Sequence, residues 1–264
     1  MKSLSFDGMT HLYDETRVFN PACFRAALDH LVERFPPQRY HHVFKPGIGT
    51  GRIAIPLARK GYRITGVDIS DRMLGVLRRR LARSKKPLQV SCQIADVTEL
   101  PFPDGAFDMA VAVHLFYFIS EWKKAADEIM RVVKPGHPLV LMHTGTGMEI
   151  PLLNERYREL CAQHAHGISD IGASSTAEVL AYFKIQGCRT HPVRERWHWT
   201  SRIRLENALS YVESRAYSFT SFAPDDIHLM VMERLMSEAK ERFGSLATEV
   251  EVPNQIYYVV VTRR

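Results

Sequence analysis

The stretch Val43-Phe44-Lys45-Pro46-Gly47-Ile48-Gly49-Thr50-Gly51 constrains this chain more than any other. The apolar Val43-Phe44 pair reads as the end of a buried strand, and three glycines then alternate through a loop before an apolar helix opens. Glycine lets such a loop turn sharply and lets a ligand lie against bare backbone. A helix that follows points its first N–H groups at that ligand. About twenty residues on, Ile64-Thr65-Gly66-Val67-Asp68 reads as a second strand ending in an acid, whose carboxylate suits a ribose diol. Strand, glycine loop, helix, strand and Asp together make half of a nucleotide-binding sheet.

From residue 42 onward, strand and helix patterns alternate. Strands are expected at 42–45, 62–67, 88–94, 107–113, 137–143, 190–198 and 255–262, and helices at 50–60, 71–84, 121–132 and 174–187. Continuous apolar runs such as Met109-Ala110-Val111-Ala112-Val113 suit strands covered on both faces. The fold class is therefore α/β: a doubly wound, seven-stranded, mostly parallel sheet. An amphipathic helix, Ala22 to Arg34 with Asn20 and Pro21 at its start, precedes the sheet. The last strand follows a helical stretch instead of a crossover helix, so it is expected as an antiparallel edge. Residues 148–170 and 202–247 break the rhythm and read as helical insertions, a lid over the carboxyl edge of a single domain spanning 1–264.

Composition narrows the rest. No apolar run approaches the roughly 18 residues of a membrane span, and the N-terminal residues lack a signal-peptide core. Cys23, Cys92, Cys161 and Cys188 are far apart, with no C-x-x-C pair, which argues against a zinc site or disulfide framework. They are expected as reduced, mostly buried thiols in a cytoplasmic protein, with no metal. The net charge of +6 raises a nucleic-acid partner. The densest basic run, Arg78-Arg79-Arg80 through Lys86, interleaves with Met73, Leu74, Leu77 and Leu81 at helical spacing, so its charges are expected on a solvated helix face. No nucleic-acid or membrane partner is expected, and a homo-oligomer is left open.

Four motifs in order resemble the class I S-adenosylmethionine-dependent methyltransferases, the "type 11" small-molecule kind. They are Gly47-Ile48-Gly49-Thr50-Gly51-Arg52; Gly66-Val67-Asp68-Ile69-Ser70 with Met73-Leu74; Ala95-Asp96-Val97 followed by Leu100 to Asp108; and Arg131-Val132-Val133-Lys134-Pro135-Gly136. The resemblance covers about residues 10–145 and, more loosely, the remainder. It implies S-adenosylmethionine as cofactor and methyl transfer to a small-molecule acceptor. Gly47, Gly49, Thr50 and Gly51 would pass under the methionine and ribose parts of the cofactor, and Asp68 would hold the ribose hydroxyls. Ile69 and Met73 would pack near the adenine, Asp96 would accept from its amino group, and Val97 would lie beside it. Val113 and His114 would sit near the sulfonium. Tyr13 and Arg17 resemble the family's N-terminal Tyr-Asp-x-x-Arg element, which closes over the methionine end. Simple capping is the alternative role for Asp68, at the helix from Asp71, and for Asp96, at the Leu100 turn.

One departure stands out. The residue two before the first loop glycine is usually acidic in this family and serves the cofactor's amino group; here it is Lys45. A lysine there faces a ligand that already carries ammonium and sulfonium groups, and like charges repel more strongly in a low-dielectric site. Either Lys45 turns away and pairs with a carboxylate, such as Asp108 or the cofactor's own, or the chain binds the cofactor weakly or binds something else there; the residues alone do not choose between these. The alternatives are a non-catalytic or altered-ligand protein on the same fold and, motivated by the basic charge, an RNA methyltransferase. A nicotinamide dehydrogenase is disfavoured because Arg52 occupies the place of the small residue in G-x-G-x-x-G/A. His114 and His143, each at a strand's carboxyl end, are the candidate catalytic bases. Tyr117, His164, His166, Arg215 and Tyr217 are secondary candidates, and Phe116, Phe118, Trp197, Trp199, Tyr211, Phe219 and Phe222 are candidate pocket aromatics.

Overall fold

The computed structural model describes residues 7–10, 12–145, 149–164, 167–168 and 171–263. The strands are β1 (His42–Pro46), β2 (Arg63–Asp68), β3 (Val90–Ile94), β4 (Met109–Val113), β5 (Pro138–Thr144), β6 (Arg189–Pro192), β7 (Trp197–Arg204) and β8 (Glu249–Thr262). The helices are α1 (Tyr13–Thr16), α2 (Pro21–Arg34), α3 (Ala54–Arg59), α4 (Asp71–Ala82), α5 (Trp122–Val132), α6 (Pro151–Gln163), α7 (Thr176–Ile185), α8 (Leu205–Glu213) and α9 (Asp225–Phe243). The strand order is β3-β2-β1-β4-β5-β8-β6, with β7 also paired to β8. From β3 to β5 every pairing is parallel. The three pairings of β8 are antiparallel. The order reverses between β1 and β4, so the crevice at their carboxyl ends is where such a sheet binds its ligand.

The doubly wound α/β expectation holds, with two differences at the far side. β8 is antiparallel as expected, but it is not an edge. It runs 14 residues, long enough to pair β5 on one side and β6 then β7 on the other. The single strand expected at 190–198 is two strands. β6 ends at Pro192, whose ring offers no N–H to a ladder, and pairing resumes at Trp197 opposite Ile256. Among the described residues the sheet thus has eight strands in seven lanes.

Local chemistry explains the elements. Asn20 accepts from the backbone N–H groups of Ala22 and Cys23 at 3.1 and 3.0 Å, with Pro21 in the first turn, so α2 starts where Asn-Pro starts it. Ser70 caps α4 through the N–H of Met73 at 3.0 Å, and Ser175 caps α7 through Glu178. α3 begins only at Ala54, four residues later than the pattern implied, because Gly51 to Ile53 continue the loop as turns. Pro56 then falls in its first turn, where a missing N–H is harmless.

Apolar residues form three clusters. One lies under α2, α3 and α4 and includes Leu31, Leu57, Leu74, Ile64, Met109 and Tyr258. The second, on the opposite face, joins Phe44, Phe107 and Ala110 to Ala125, Ile129 and Phe183 of α5 and α7. The third is separate: Leu153, Tyr157, Leu209, Val231 and Leu235 of α6, α8 and α9 close on Ile203 and Val252, where β7 and β8 extend beyond the parallel strands. Of the four cysteines only Cys161 is buried; the other three are half-buried, less covered than expected. Among the described residues no helix is long and apolar enough to cross a membrane.

The tightest joint lies between the loop and the sheet. A methyl group built on Gly66 would stand 2.4 Å from Ile48 Cδ1 and 2.6 Å from Ile48 Cβ. Gly66→Val is therefore expected to cost about 1–3 kcal/mol or more by overpacking, read as a lower urea midpoint at unchanged slope. An unchanged midpoint would mean that the loop gives way freely.

Candidate ligand cavity at the glycine loop

The loop leaving β1 is tied down before it reaches any ligand. The N–H of Ile48 donates to the Val67 carbonyl at 2.9 Å. The carboxylate of Asp68 accepts from the N–H of Gly49 at 2.9 Å through Oδ2 and from the N–H of Ser70 at 3.0 Å through Oδ1. Burial pushes the Asp68 carboxyl up, while these two N–H groups and Lys45 pull it back. Gly49 has φ +56°, a left-handed backbone, and open space where a side chain would project. Bare backbone is thus turned toward the cavity at this point. Gly51 differs: a methyl group there would stand 2.5 Å from Leu77, so its missing side chain serves the packing of α4 against the loop.

The N-terminal segment lies across this loop. Thr50 Oγ1 donates to Asp14 at 2.9 Å, and Arg80 bonds both Asp14 and the Thr50 carbonyl. Arg80, from the basic run, is thus half-buried and structural rather than solvated. Arg17 stacks 4.4 Å over the Tyr13 ring and donates to Thr16 Oγ1 at 2.8 Å, with a longer contact of 3.4 Å to the Ala216 carbonyl. Arg52 lies 4.2 Å over Phe19 and reaches the Arg17 carbonyl.

These pieces wall one cavity of about 470 Å³, within the usual range for small-molecule sites. Its floor is Lys45, Gly47, Gly49, Thr50, Asp68 and Met73, and its strap is Tyr13, Arg17 and Arg52. Val113 and His114 line it at the end of β4. The helical cluster closes it with Glu149, Asn154, Arg158, Tyr217, Phe219 and Phe222. The structure therefore brings together Tyr13, Arg17, Gly47, Gly49, Thr50, Asp68, Met73, Val113 and His114. Gly51, Ile69, Asp96 and Val97 are not among the lining residues. Asp96 Oδ1 instead accepts from the N–H and hydroxyl of Thr98, both at 2.9 Å, which is a capping arrangement.

Lys45 does not pair with Asp108, which accepts from the His42 N–H and the Lys134 ammonium. It folds back onto its own loop, donating to the carbonyls of Pro46 at 2.8 Å and Gly47 at 3.0 Å. Only 3% of it is exposed. Burial brings its pKa down to about 8, against a smaller upward pull from Asp68.

His114 has a left-handed backbone, φ +49°, uncommon for a residue with a side chain. Its Nε2 lies 2.8 Å from the Thr144 carbonyl. The Thr144 N–H also stands 3.0 Å from Nε2, so one nitrogen faces both a donor and an acceptor and these contacts assign neither tautomer. Burial holds the ring neutral, with a pKa of about 4, and the Arg17, Arg52 and Lys45 cations push the same way. His143 stands outside the main cavity. It stacks on Tyr257 at 4.7 Å and lies edge-on to His114 at 5.6 Å. It lines a small apolar recess with Phe116, Tyr117 and Thr176. Of the secondary candidates, Tyr117 and Tyr217 line the main cavity, while Arg215 bonds the Ala223 carbonyl and Asp225. His164 caps α6, and His166 lies outside the described residues. Phe118, Phe219 and Phe222 line the cavity; Trp197 stacks against Tyr258 instead. Sequence reasoning missed Glu149, Asn154 and Arg158. They belong to no local motif and meet the loop only through the tertiary fold.

A methyltransferase-domain family model matches residues 44–141. The demethylmenaquinone methyltransferase of Clavibacter sepedonicus is 33% identical over 159 residues, which is 59% of this chain and 62% of that one. The malonyl-[acyl-carrier protein] O-methyltransferase of Halorhodospira halophila is 33% identical over 50% of this chain and 43% of its own. This chain spans about half the length of the curated relatives it matches. Among solved structures, the YcgJ protein of Bacillus subtilis superposes with a TM-score of 0.61 at 20% identity, covering 91% of this chain and 99% of that one. A phosphoethanolamine N-methyltransferase of Haemonchus contortus, solved with S-adenosylhomocysteine, gives 0.56 at 18% identity, covering 98% of this chain and 59% of its own. The family match runs from β1 into β5, the stretch whose loops form the cavity floor, and over that stretch the chain is similar to methyltransferase domains.

Proposed function

We propose that this chain transfers a methyl group from S-adenosylmethionine to a small-molecule acceptor enclosed beneath the helical cluster. The observation that carries this is one continuous cavity, running from Gly49 and Asp68 at the glycine loop to Asn154 and Phe219 in the helical layer. The residues present fit the cofactor. Gly49 leaves room against its backbone. Asp68 uses one lone pair of each oxygen on the loop and keeps the others for a diol. Met73 and Ile48 give the floor an apolar surface. Bound there, the cofactor supplies an activated methyl group; the protein's part is to orient the acceptor and exclude water. Phe118, Phe219 and Phe222 offer an acceptor apolar contact. His114 lines the cavity as the group placed to take an acceptor proton, and His143 packs behind it. In this reading α6, α8 and α9 form a lid within a single domain.

Titration of the purified chain with S-adenosylmethionine and S-adenosylhomocysteine tests the reading. Micromolar binding, about −8 kcal/mol, is expected. Asp68→Ala is expected to weaken it about a hundredfold or more, because it also strands the Gly49 N–H that shapes the loop. Undiminished binding in Asp68→Ala, or no binding by the native chain, would remove the cofactor from this site.

A further inference from the structure

The charges lining the cavity are unevenly distributed. At the glycine loop Lys45 is turned onto the Pro46 and Gly47 carbonyls, and both Asp68 oxygens already hold backbone N–H groups. Of the described lining residues only one other is acidic, Glu149, in the segment between β5 and α6. Its Oε2 accepts from the Asn154 amide at 3.2 Å. Among the described residues no hydrogen bond to Oε1 is formed. Glu149 shares its surroundings with Arg17, Arg158 and the Tyr217 ring. Arg17 lines the same cavity from the N-terminal strap, so a carboxylate and a guanidinium stand together in it. An α-amino acid group presents the complementary pair, an ammonium beside a carboxylate.

We propose that Glu149 receives the ammonium of the cofactor's amino-acid end, supplying from the helical layer the negative charge that Lys45 does not supply from the end of β1. This rests on the cofactor reading above. An ammonium placed at Glu149 meets the one lining carboxylate whose second oxygen is not committed to a backbone N–H. Placed at Lys45 it would meet a buried cation. The covering layer then takes part in cofactor binding, and the amino-acid end is held from above rather than from the sheet.

The test compares two ligands by calorimetry: S-adenosylhomocysteine and the same thioether with its α-amino group replaced by hydrogen. A charge-assisted hydrogen bond is worth about ten- to a hundredfold in affinity, so the native chain is expected to prefer the amino compound by that factor. Glu149→Gln is expected to bind both within about threefold of each other while binding the desamino compound as the native chain does. A native chain that binds the two equally overturns the proposal without recourse to any variant. A variant that still discriminates, or that loses both ligands equally, also overturns it while leaving the cofactor reading intact. If the native chain binds neither ligand, both readings fall together.

Discussion

Acidifying the protein from pH 6.5 to pH 5 is expected to cost about 3 kcal/mol of stability through two buried histidines, and His143→Met is expected to recover about half of that loss. Burial holds His114 at a pKa of about 4 and His143 at about 3, against 6.5 for an open histidine. The groups facing them do nothing to favour charge on balance. His114 meets the Thr144 carbonyl, which favours protonation, but also Arg17, Arg52 and Lys45, which oppose it. His143 meets Tyr257, Tyr117, Thr176 and His114 itself. The unfolded chain therefore takes up two protons below pH 6.5 that the folded chain refuses. The stability is fully present above pH 6.5 and is lost as pH falls toward the folded values, at about 1.4 kcal/mol per unit for each ring. His42 and His228 are shifted in the same direction and add to the slope. Asp68 and Glu149, whose carboxyls burial pushes up, take protons in the fold before the unfolded chain does and offset part of the loss toward pH 5. Urea midpoints at several pH values check it; a His143→Met slope equal to the native one would show that the ring is not held neutral by the fold.

How much of this was legible in the sequence depends on how local each cause is. The glycine loop, the acid ending β2 and the Asn-Pro start of α2 were readable because each is decided within a few residues. The floor of the cavity, Gly49, Thr50, Asp68 and Met73, followed from that. The interior position of β8 was not readable, because a run of Tyr and Val states only that a strand forms, not how many neighbours it has. Residues 190–198 read as one strand for the same reason: both halves carry strand-forming residues, and the break at Pro192 shows its meaning only against a partner long enough to serve both. The lid side of the cavity was hidden further. Glu149 and Arg158 share a cavity with Arg17 across more than 130 positions of sequence, so no periodicity or spacing points to them. Lys45 was legible as an anomaly and illegible in its solution. The sequence offered a carboxylate partner; the fold satisfies the ammonium with two carbonyls of its own loop.

That solution carries the second large prediction. The affinity for S-adenosylmethionine, relative to S-adenosylhomocysteine, is expected to rise about tenfold between pH 7 and pH 9, and Lys45→Met is expected to abolish the rise. The two ligands share their ammonium and carboxylate, so the ratio isolates the sulfonium. Lys45, at about 8, is mostly charged at pH 7 and mostly neutral at pH 9. Its charge faces the cavity beside Gly47, with Asp68 the nearby anion and His114 a neutral neighbour. Losing that charge relieves the sulfonium of a like charge in a poorly screened site. The same group has a stability signature of the same sign as the histidines, placed at higher pH. A lysine whose folded pKa lies below its unfolded value of 10.5 penalises the fold at neutral pH. The penalty is relieved as pH rises from about 8 to 10.5, a change of about 3 kcal/mol. Lys45→Met is therefore expected to flatten that part of the stability curve. The gain at pH 7 is smaller than the full amount, since the Pro46 and Gly47 carbonyls lose their donor. If the ratio of affinities rises equally in Lys45→Met, some other group titrates against the sulfonium. If it is flat in the native chain, the Lys45 ammonium is screened from the cavity, and its placement beneath the loop keeps the missing acid from mattering at all.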